Sequence, residues 1–270
     1  MALVNKIIPF SCIDGPGNRT SIFFQGCNFK CSYCHNPETI NKCVNCGKCV
    51  AVCPVNALEI KDKKVVWDDK KCVLCDACIR ECKHLSTPQT KDYSVDELFE
   101  EIKQVAPFIE GITVSGGEAT LNADFLTDLF RKVKDELGLT CFVDTNGSID
   151  LSQYEEFVKL TDKFMIDVKS MDEEEHLKVT GLNNHTVIKN LKYLLDLDKV
   201  YEIRTVIAPN LNNENTVREA SKIIKDKCKY KFNIDRHYGV RKEGLDFHGS
   251  DSPSEEEINK CYKIYEENIL

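Results

Sequence analysis

Basic side chains are in deficit: 36 Lys and Arg face 44 Asp and Glu in 270 residues, a formal charge of −8. That balance disfavours a nucleic-acid binder relying on a basic surface. Long apolar runs are also missing. No uninterrupted stretch approaches the ~18 residues that span a bilayer. Met1 to Phe10 carries no positive segment followed by a long apolar one, so no secretory leader is expected. The expectation is a cytoplasmic protein with neither nucleic acid nor membrane among its partners. Hydrophobic residues at 42% and charged residues at 30% exclude disorder and fibrous repeats. The length allows one large domain, or one domain with a small insert.

Cysteine is what the chain has in excess. Fifteen are too many for packing alone, and an odd number argues against a disulfide framework. Eleven lie between Cys27 and Cys82, leaving Cys12, Cys141, Cys228 and Cys261 elsewhere as small apolar fillers or surface thiols. Cys43, Cys46, Cys49 and Cys53 form C-x2-C-x2-C-x3-C followed by Pro54, and Cys72, Cys75, Cys78 and Cys82 repeat the spacing 29 residues later. This repeat resembles a two-cluster bacterial ferredoxin, in which the fourth cysteine of each run ligates the other run's cluster. One 4Fe-4S cluster would take Cys43, Cys46, Cys49 and Cys82, the other Cys72, Cys75, Cys78 and Cys53. Zinc knuckles are the alternative, although zinc sites usually space their ligands as two separated pairs. The second run departs from the pattern in having Lys83 where proline often stands.

The remaining triplet, Cys27, Cys31 and Cys34, supplies only three thiolates, so one iron of a cubane would stay open for a small molecule to chelate. The preceding Thr20-Ser-Ile-Phe-Phe-Gln-Gly26 reads as a buried strand. The triplet therefore falls at a strand's carboxyl end, where α/β barrels place their active sites.

Cys27-x3-Cys31-Ser-Tyr33-Cys34 resembles the radical S-adenosylmethionine superfamily motif. Ile13-Asp-Gly-Pro-Gly-Asn-Arg19, His35-Asn-Pro37 and Ser115-Gly-Gly-Glu118 narrow the resemblance to the glycyl-radical-enzyme activases, relatives of the pyruvate formate-lyase activating enzyme. The runs Ile7 to Gly17 and Phe108 to Thr120 look most like the YjjW-type branch. The resemblance covers nearly the whole chain and is weakest in the C-terminal quarter.

Strand-like segments recur at Ser21 to Gln25, Ile112 to Ser115, Thr140 to Asp144, Lys163 to Val168, Tyr201 to Ile207 and Lys231 to Ile234. Helices separate them. Ser94-Val-Asp-Glu97 reads as a capped start, and Asp124 to Leu137 carries Phe125, Leu129, Val133 and Leu137 at near-helical spacing before Gly138. The acidic runs Asp172 to Glu175 and Glu255 to Glu257 fit helix starts, with Ser254 as a cap. Six β/α units imply a parallel sheet and a partial (β/α)6 TIM-like barrel from residues 1–40 and 87–270. A ferredoxin-like two-cluster insert occupies 41–86. The open side of such a barrel agrees with the family, whose cleft admits part of a protein substrate.

At the strand ends, Ser115, Gly116, Gly117 and Glu118 form a turn where glycines permit close backbone approach and a carboxylate can accept from an ammonium group. By resemblance this turn grips the amino group of S-adenosylmethionine. Asp144 and Asp167 would repel at neighbouring strand ends unless a cation sits between them. The resemblance implies a monovalent cation held through Asp144, Thr145, Met165 and Asp167, with Lys169 close to the ligand. It further implies ligand contacts from Tyr33, Arg204 and His237. Ordinary capping aspartates and a merely packed histidine are the plainer alternatives.

The expected activity is an electron from a low-potential donor such as flavodoxin or ferredoxin passing through the insert's two clusters to the third. Cleavage of S-adenosylmethionine would give methionine and a 5′-deoxyadenosyl radical, which takes hydrogen from a glycine of a partner glycyl radical enzyme. A radical enzyme acting on a small molecule and a non-catalytic electron carrier are the rivals.

Overall fold

A computed structural model describes residues 1–249 and 251–269. β1 (Ala2–Ser11) runs antiparallel to β2 (Arg19–Phe24), with Val4 opposite Phe24 and Ser11 opposite Arg19. The chain then leaves the sheet for a segment with a small hairpin, β3 (Leu58–Lys61) and β4 (Lys64–Trp67), and a short helix α1 (Ala77–Glu81). It returns through β5 (Lys91–Tyr93), which pairs antiparallel with β1. From there helices and strands alternate: α2 (Val95–Val105), β6 (Gly111–Gly116), α3 (Ala123–Leu137), β7 (Thr140–Thr145), α4 (Glu155–Leu160), β8 (Lys163–Asp167), α5 (Glu173–Thr180) and α6 (His185–Asp196). β9 (Val200–Ile207), α7 (Asn213–Ile224), β10 (Lys229–Ile234), α8 (Lys242–His248) and α9 (Glu255–Ile269) complete the chain. The sheet order is β10-β9-β8-β7-β6-β2-β1-β5, with β2 and β6 to β10 parallel.

The six parallel strands match the six read from the sequence. β1 and β5 are additions to that reading, and they extend the sheet beyond β2 as an antiparallel edge. Pro9 inside β1 and the three-residue length of β5 remove the usual strand signals. No helix among the described residues is long and apolar enough to cross a membrane.

Alternation along each strand divides the sheet into two faces. Ile22, Ile112, Val114, Cys141, Val143, Phe164, Ile166 and Ile203 are fully buried under the helices. The opposite positions carry polar groups: Ser21, Thr113, Ser115, Asp144, Asp167 and Arg204. At the amino ends of the strands, buried Arg19 donates to Thr113 Oγ1 (2.8 Å), the Ile112 carbonyl (2.7 Å) and Thr140 Oγ1 (3.0 Å), with its guanidinium 4.2 Å from the Phe142 ring centre.

The helix starts follow local chemistry. Ser94 and Glu97 form a reciprocal capping box on α2. Asp172 caps α5 by accepting from the Glu175 N–H, and Ser254 pairs with Glu257 at the start of α9. Gly138 ends α3 at φ +66°. The buried stripe of α3 is Leu126, Leu129, Phe130 and Val133, so Phe125 and Leu137 flank it rather than define it.

The segment beyond Asn41 is closed at its root. The Asn41 N–H donates to the Leu85 carbonyl (2.9 Å), and Gln25 Nε2 at the end of β2 donates to the Asn41 carbonyl (2.6 Å). Cys49, Leu58 and Cys78 make a small core of its own.

Candidate active site

An open cavity of about 250 Å³ lies at the carboxyl ends of the parallel strands. Cys27, Cys31 and Cys34 stand on its wall, in the loop leaving β2. Burial pushes the Cys27 thiol up to about 12 and the Cys31 thiol to about 11, and raises that of Cys34. Free, these groups stay protonated near neutrality; a bound cluster would hold them as thiolates.

The adjoining wall comes from the turn after β6. A Cβ on Gly116 would lie 2.3 Å from the Phe24 nitrogen, and one on Gly117 would lie 2.2 Å from the Gly26 carbonyl oxygen. The glycines are thus needed for the β6 turn to lie against the β2 loop, where Gly117 N–H donates to Phe24 and Glu118 N–H to Gly26. Glu118 is 1% exposed. Its Oε1 accepts from Thr120 N–H (3.0 Å), Thr120 Oγ1 (2.5 Å) and Thr145 Oγ1 (2.7 Å), and its Oε2 from Asn146 N–H (2.7 Å). Three donors crowd Oε1 while Oε2 meets only one, so Oε2 keeps a lone pair that an ammonium could use. Burial raises the Glu118 pKa against their combined pull.

The floor is ionic. Asp144 Oδ2 accepts from Ser115 Oγ (3.1 Å) and from Arg204 Nη1 (3.1 Å). Arg204 also donates to Glu202 (2.6 Å) and to Met165 Sδ (2.9 Å). Lys169 Nζ meets Asp167 at 2.7 Å and lies 5.7 Å from the Tyr33 ring centre. Burial raises the Asp144 pKa although Arg204 opposes it. For Lys169 burial pulls the other way, but Asp167, Tyr33 and Cys31 hold the ammonium well above its ordinary range. The two carboxylates are each met by a protein cation.

Of the residues singled out in the sequence, Tyr33, Ser115, Gly116, Gly117, Glu118, Asp144, Thr145, Asp167 and Lys169 line the cavity. Met165 and Arg204 are not on its lining but reach it through Asp144. His237 is not brought in: its ring N–H donates to the Asp251 carbonyl (3.2 Å), while His35 stands on the cavity wall and donates to the Arg236 carbonyl (2.6 Å). Asn146 was not singled out. Its Nδ2 lies 3.7 Å from Cys27 Sγ, and its position within Asp144-Thr-Asn-Gly147 was the available signal.

Two smaller cavities lie in the insert. Cys43, Cys46, Cys49 and Cys82 line one of about 20 Å³; Cys53, Cys72, Cys75 and Cys78 line the other, of about 10 Å³. The fourth cysteine of each run stands with the other run. Gln89 Nε2 approaches Cys78 Sγ (3.3 Å), and Ala57 N–H donates to Cys53 Sγ (3.2 Å). All fifteen cysteines are free thiols. Among the described residues no three His, Cys, Asp or Glu are grouped to hold a single metal ion; the thiols instead ring voids, an arrangement that suits a multi-iron group.

Residues 21–223 match the family model described as the Radical SAM superfamily. The chain belongs to the radical SAM superfamily. Within it, the chain falls with the glycyl-radical-enzyme activating enzymes. It is 30% identical over 290 residues to the trans-4-hydroxy-L-proline dehydratase activating enzyme of Clostridioides difficile, covering 98% of this chain and 96% of that one. It is also 30% identical over 283 residues to a putative glycyl-radical enzyme activating enzyme of Haemophilus influenzae, covering 95% and 89%. To the pyruvate formate-lyase 1-activating enzyme of Escherichia coli it is 31% identical over 224 residues, covering 80% and 72%. The solved structure of QueE from Escherichia coli shares the fold, with a TM-score of 0.52 at 13% identity over 97% of this chain and 88% of that one. For this radical SAM protein, family membership implies a 4Fe-4S cluster and S-adenosylmethionine. The three-thiol wall and the polar cavity beside it fit both.

Proposed function

We propose that this protein activates a glycyl radical enzyme. The observation that carries the proposal is that Cys27, Cys31 and Cys34 line one open cavity at the strand ends together with the Ser115 to Glu118 turn. Three thiols leave one iron of a cubane free for S-adenosylmethionine. A cluster held by Cys27, Cys31 and Cys34 would supply the one electron needed to cleave the ligand's carbon–sulfur bond, with methionine and a 5′-deoxyadenosyl radical as the products and a hydrogen atom of a partner's glycine as the radical's target.

The chain's own part is binding and orientation. The Ser115-Gly116-Gly117-Glu118 turn meets the ligand's amino group, with Glu118 tying it to Thr145 and Asn146. Lys169 offers an ammonium to the ligand's carboxylate, and Asp144, held by Ser115 and Arg204, fixes the floor beneath it. Tyr33 packs beside Lys169 with its hydroxyl unpartnered. His237 bonds to the Asp251 carbonyl and is given no part in the cavity. The proposed monovalent cation at Asp144, Thr145, Met165 and Asp167 has less to do once Arg204 and Lys169 balance those carboxylates, and no step is assigned to it.

Residues 1–40 and 87–270 form the catalytic barrel in this reading, and 41–86 a ferredoxin-like domain with two further 4Fe-4S clusters. The crossed grouping of the eight insert cysteines supports it. Their role is to pass electrons from a low-potential donor such as flavodoxin or ferredoxin. A cytoplasmic setting, where thiols stay reduced, suits fifteen free cysteines. Anaerobic incubation with reductant, S-adenosylmethionine and a glycyl radical enzyme should yield a partner-based organic radical by electron paramagnetic resonance. A glycine-to-alanine change in the partner should remove it. Repeated turnover of a small molecule, with no radical on any partner tried, overturns the proposal.

A further inference from the structure

The insert carries a charge opposite to that of the rest of the chain. Between Asn41 and Ser86 there are nine Lys and Arg against six Asp and Glu, a net +3 in a chain whose total is −8. That positive charge is not shared evenly by the two thiol cavities. The Cys43, Cys46, Cys49 and Cys82 cavity is lined by Lys48, Lys83 and His84 with a single acid, Glu81. The Cys53, Cys72, Cys75 and Cys78 cavity has no charged side chain on its lining apart from the thiols.

The asymmetry arises where the internal repeat breaks. At the 29-residue offset, Lys48 corresponds to Ala77 and Pro54 to Lys83. Because the fourth cysteines cross over, both lysines end beside the same cavity. Both are exposed, and neither has an ion-pair partner among the described residues. Cys46, at the same rim, is solvent-exposed, and the neighbouring Val44 is 56% exposed. A thiol at the surface, an apolar contact beside it and unpaired lysines around it make a landing place for an electron donor.

We propose that this rim is the docking site of a small electron-carrier protein whose redox group is surrounded by carboxylates, and that electrons enter the chain through the Cys43, Cys46, Cys49 and Cys82 site. The inference rests on the relay reading of the insert. One electron leaves the reduced carrier and reduces the site by one; no bond is made or broken. Charge complementarity of this kind raises the encounter rate more than the final affinity, and it fades as salt screens it.

The test uses the iron-loaded protein under anaerobic conditions, with reduced acidic flavodoxin as probe. Stopped-flow absorbance follows insert reduction across ionic strength. Lys48→Glu with Lys83→Glu should lower the second-order rate constant about tenfold or more at low salt. The difference should shrink toward high salt, as the screening length falls from about 10 Å at 0.1 M to about 3 Å at 1 M. Lys225→Glu with Lys227→Glu, between α7 and β10 at the opposite end of the strands from the insert's root, makes the same change in net charge away from the rim and should have little effect. Flavodoxin with its carboxylates amidated should not distinguish the variants. Full iron content and full end-point reduction by dithionite certify each protein. With those intact, equal rates for the rim variant and the parent overturn the docking site, as does an equal loss in the Lys225/Lys227 variant. An iron content of about four per chain in the parent overturns the relay reading itself, and the docking site with it.

Discussion

Arg204→Met tests the ionic floor of the cavity. Arg204 is the cation against Asp144 (3.1 Å) and Glu202 (2.6 Å), and its side chain is 12% exposed. Removing it leaves two carboxylates without their partner while Asp167 remains nearby. Breaking a fully buried pair costs about 3–5 kcal/mol; with Asp144 20% exposed to the cavity, about 2–3 kcal/mol is the expected loss at neutral pH. For a chain of this size that corresponds to a fall in melting temperature of roughly 5 °C. The pH dependence has a definite sign. Burial already raises the Asp144 pKa in the folded state, and losing Arg204 raises it further. A carboxyl whose folded pKa exceeds its unfolded value destabilises the fold above that unfolded value, and protonation relieves the cost as pH falls through the folded pKa. The gap between variant and parent in urea midpoint should therefore narrow as pH is lowered from 8 toward the acid range. Asp144→Asn placed in the Arg204→Met background should recover part of the loss. A variant within 0.5 kcal/mol of the parent, or a gap independent of pH, refutes the ionic account of the floor.

Gly117→Ala should cost about 1–3 kcal/mol by overpacking, since its Cβ would press on the Gly26 carbonyl; urea denaturation reads the cost, and titration should show weaker S-adenosylmethionine binding. Reconstituted protein should hold about 12 irons per chain and, with all eight insert cysteines replaced, about 4; four bound zinc atoms would contradict the assignment. Cys27→Ala, Cys31→Ala or Cys34→Ala should each abolish S-adenosylmethionine cleavage, whereas a folded insert variant should keep part of it with a small-molecule reductant, as followed by chromatography of 5′-deoxyadenosine. Asp167→Asn frees Lys169 and should weaken ligand binding in calorimetry; the same titrations with and without added potassium decide whether a monovalent cation contributes.

What was legible in the sequence was local. Cysteines at ligand spacing follow one another closely along the chain, so Cys27, Cys31, Cys34 and the two insert runs could be read without any tertiary information, and the crossed grouping was what the resemblance to two-cluster ferredoxins implied. The six parallel strands were legible because both flanking helices and apolar runs mark them. β1 was not, because Pro9 interrupts it and its pairing depends on β2 and β5. The lumen was legible only in part. Asp144 and Asp167 could be foreseen as strand-end carboxylates, but that Arg204 and Lys169 would neutralise them depends on the register that sets Asp167 beside Arg204. The glycines of the β6 turn could be seen to allow close approach, though the approaching atoms proved to be the backbone of Phe24 and Gly26. The resemblance pointed to His237, whereas His35 is the imidazole on the cavity wall, since only the fold decides which one reaches it.

The most direct test of the central claim is isotope transfer. A glycyl radical enzyme labelled with deuterium at the α-carbon of glycine is incubated anaerobically with this protein, reductant and S-adenosylmethionine, and the 5′-deoxyadenosine formed is weighed by mass spectrometry. Abstraction from the partner's glycine predicts one deuterium in the product, in proportion to the radical appearing on the partner. Unlabelled 5′-deoxyadenosine formed alongside a partner that gains no radical would contradict it.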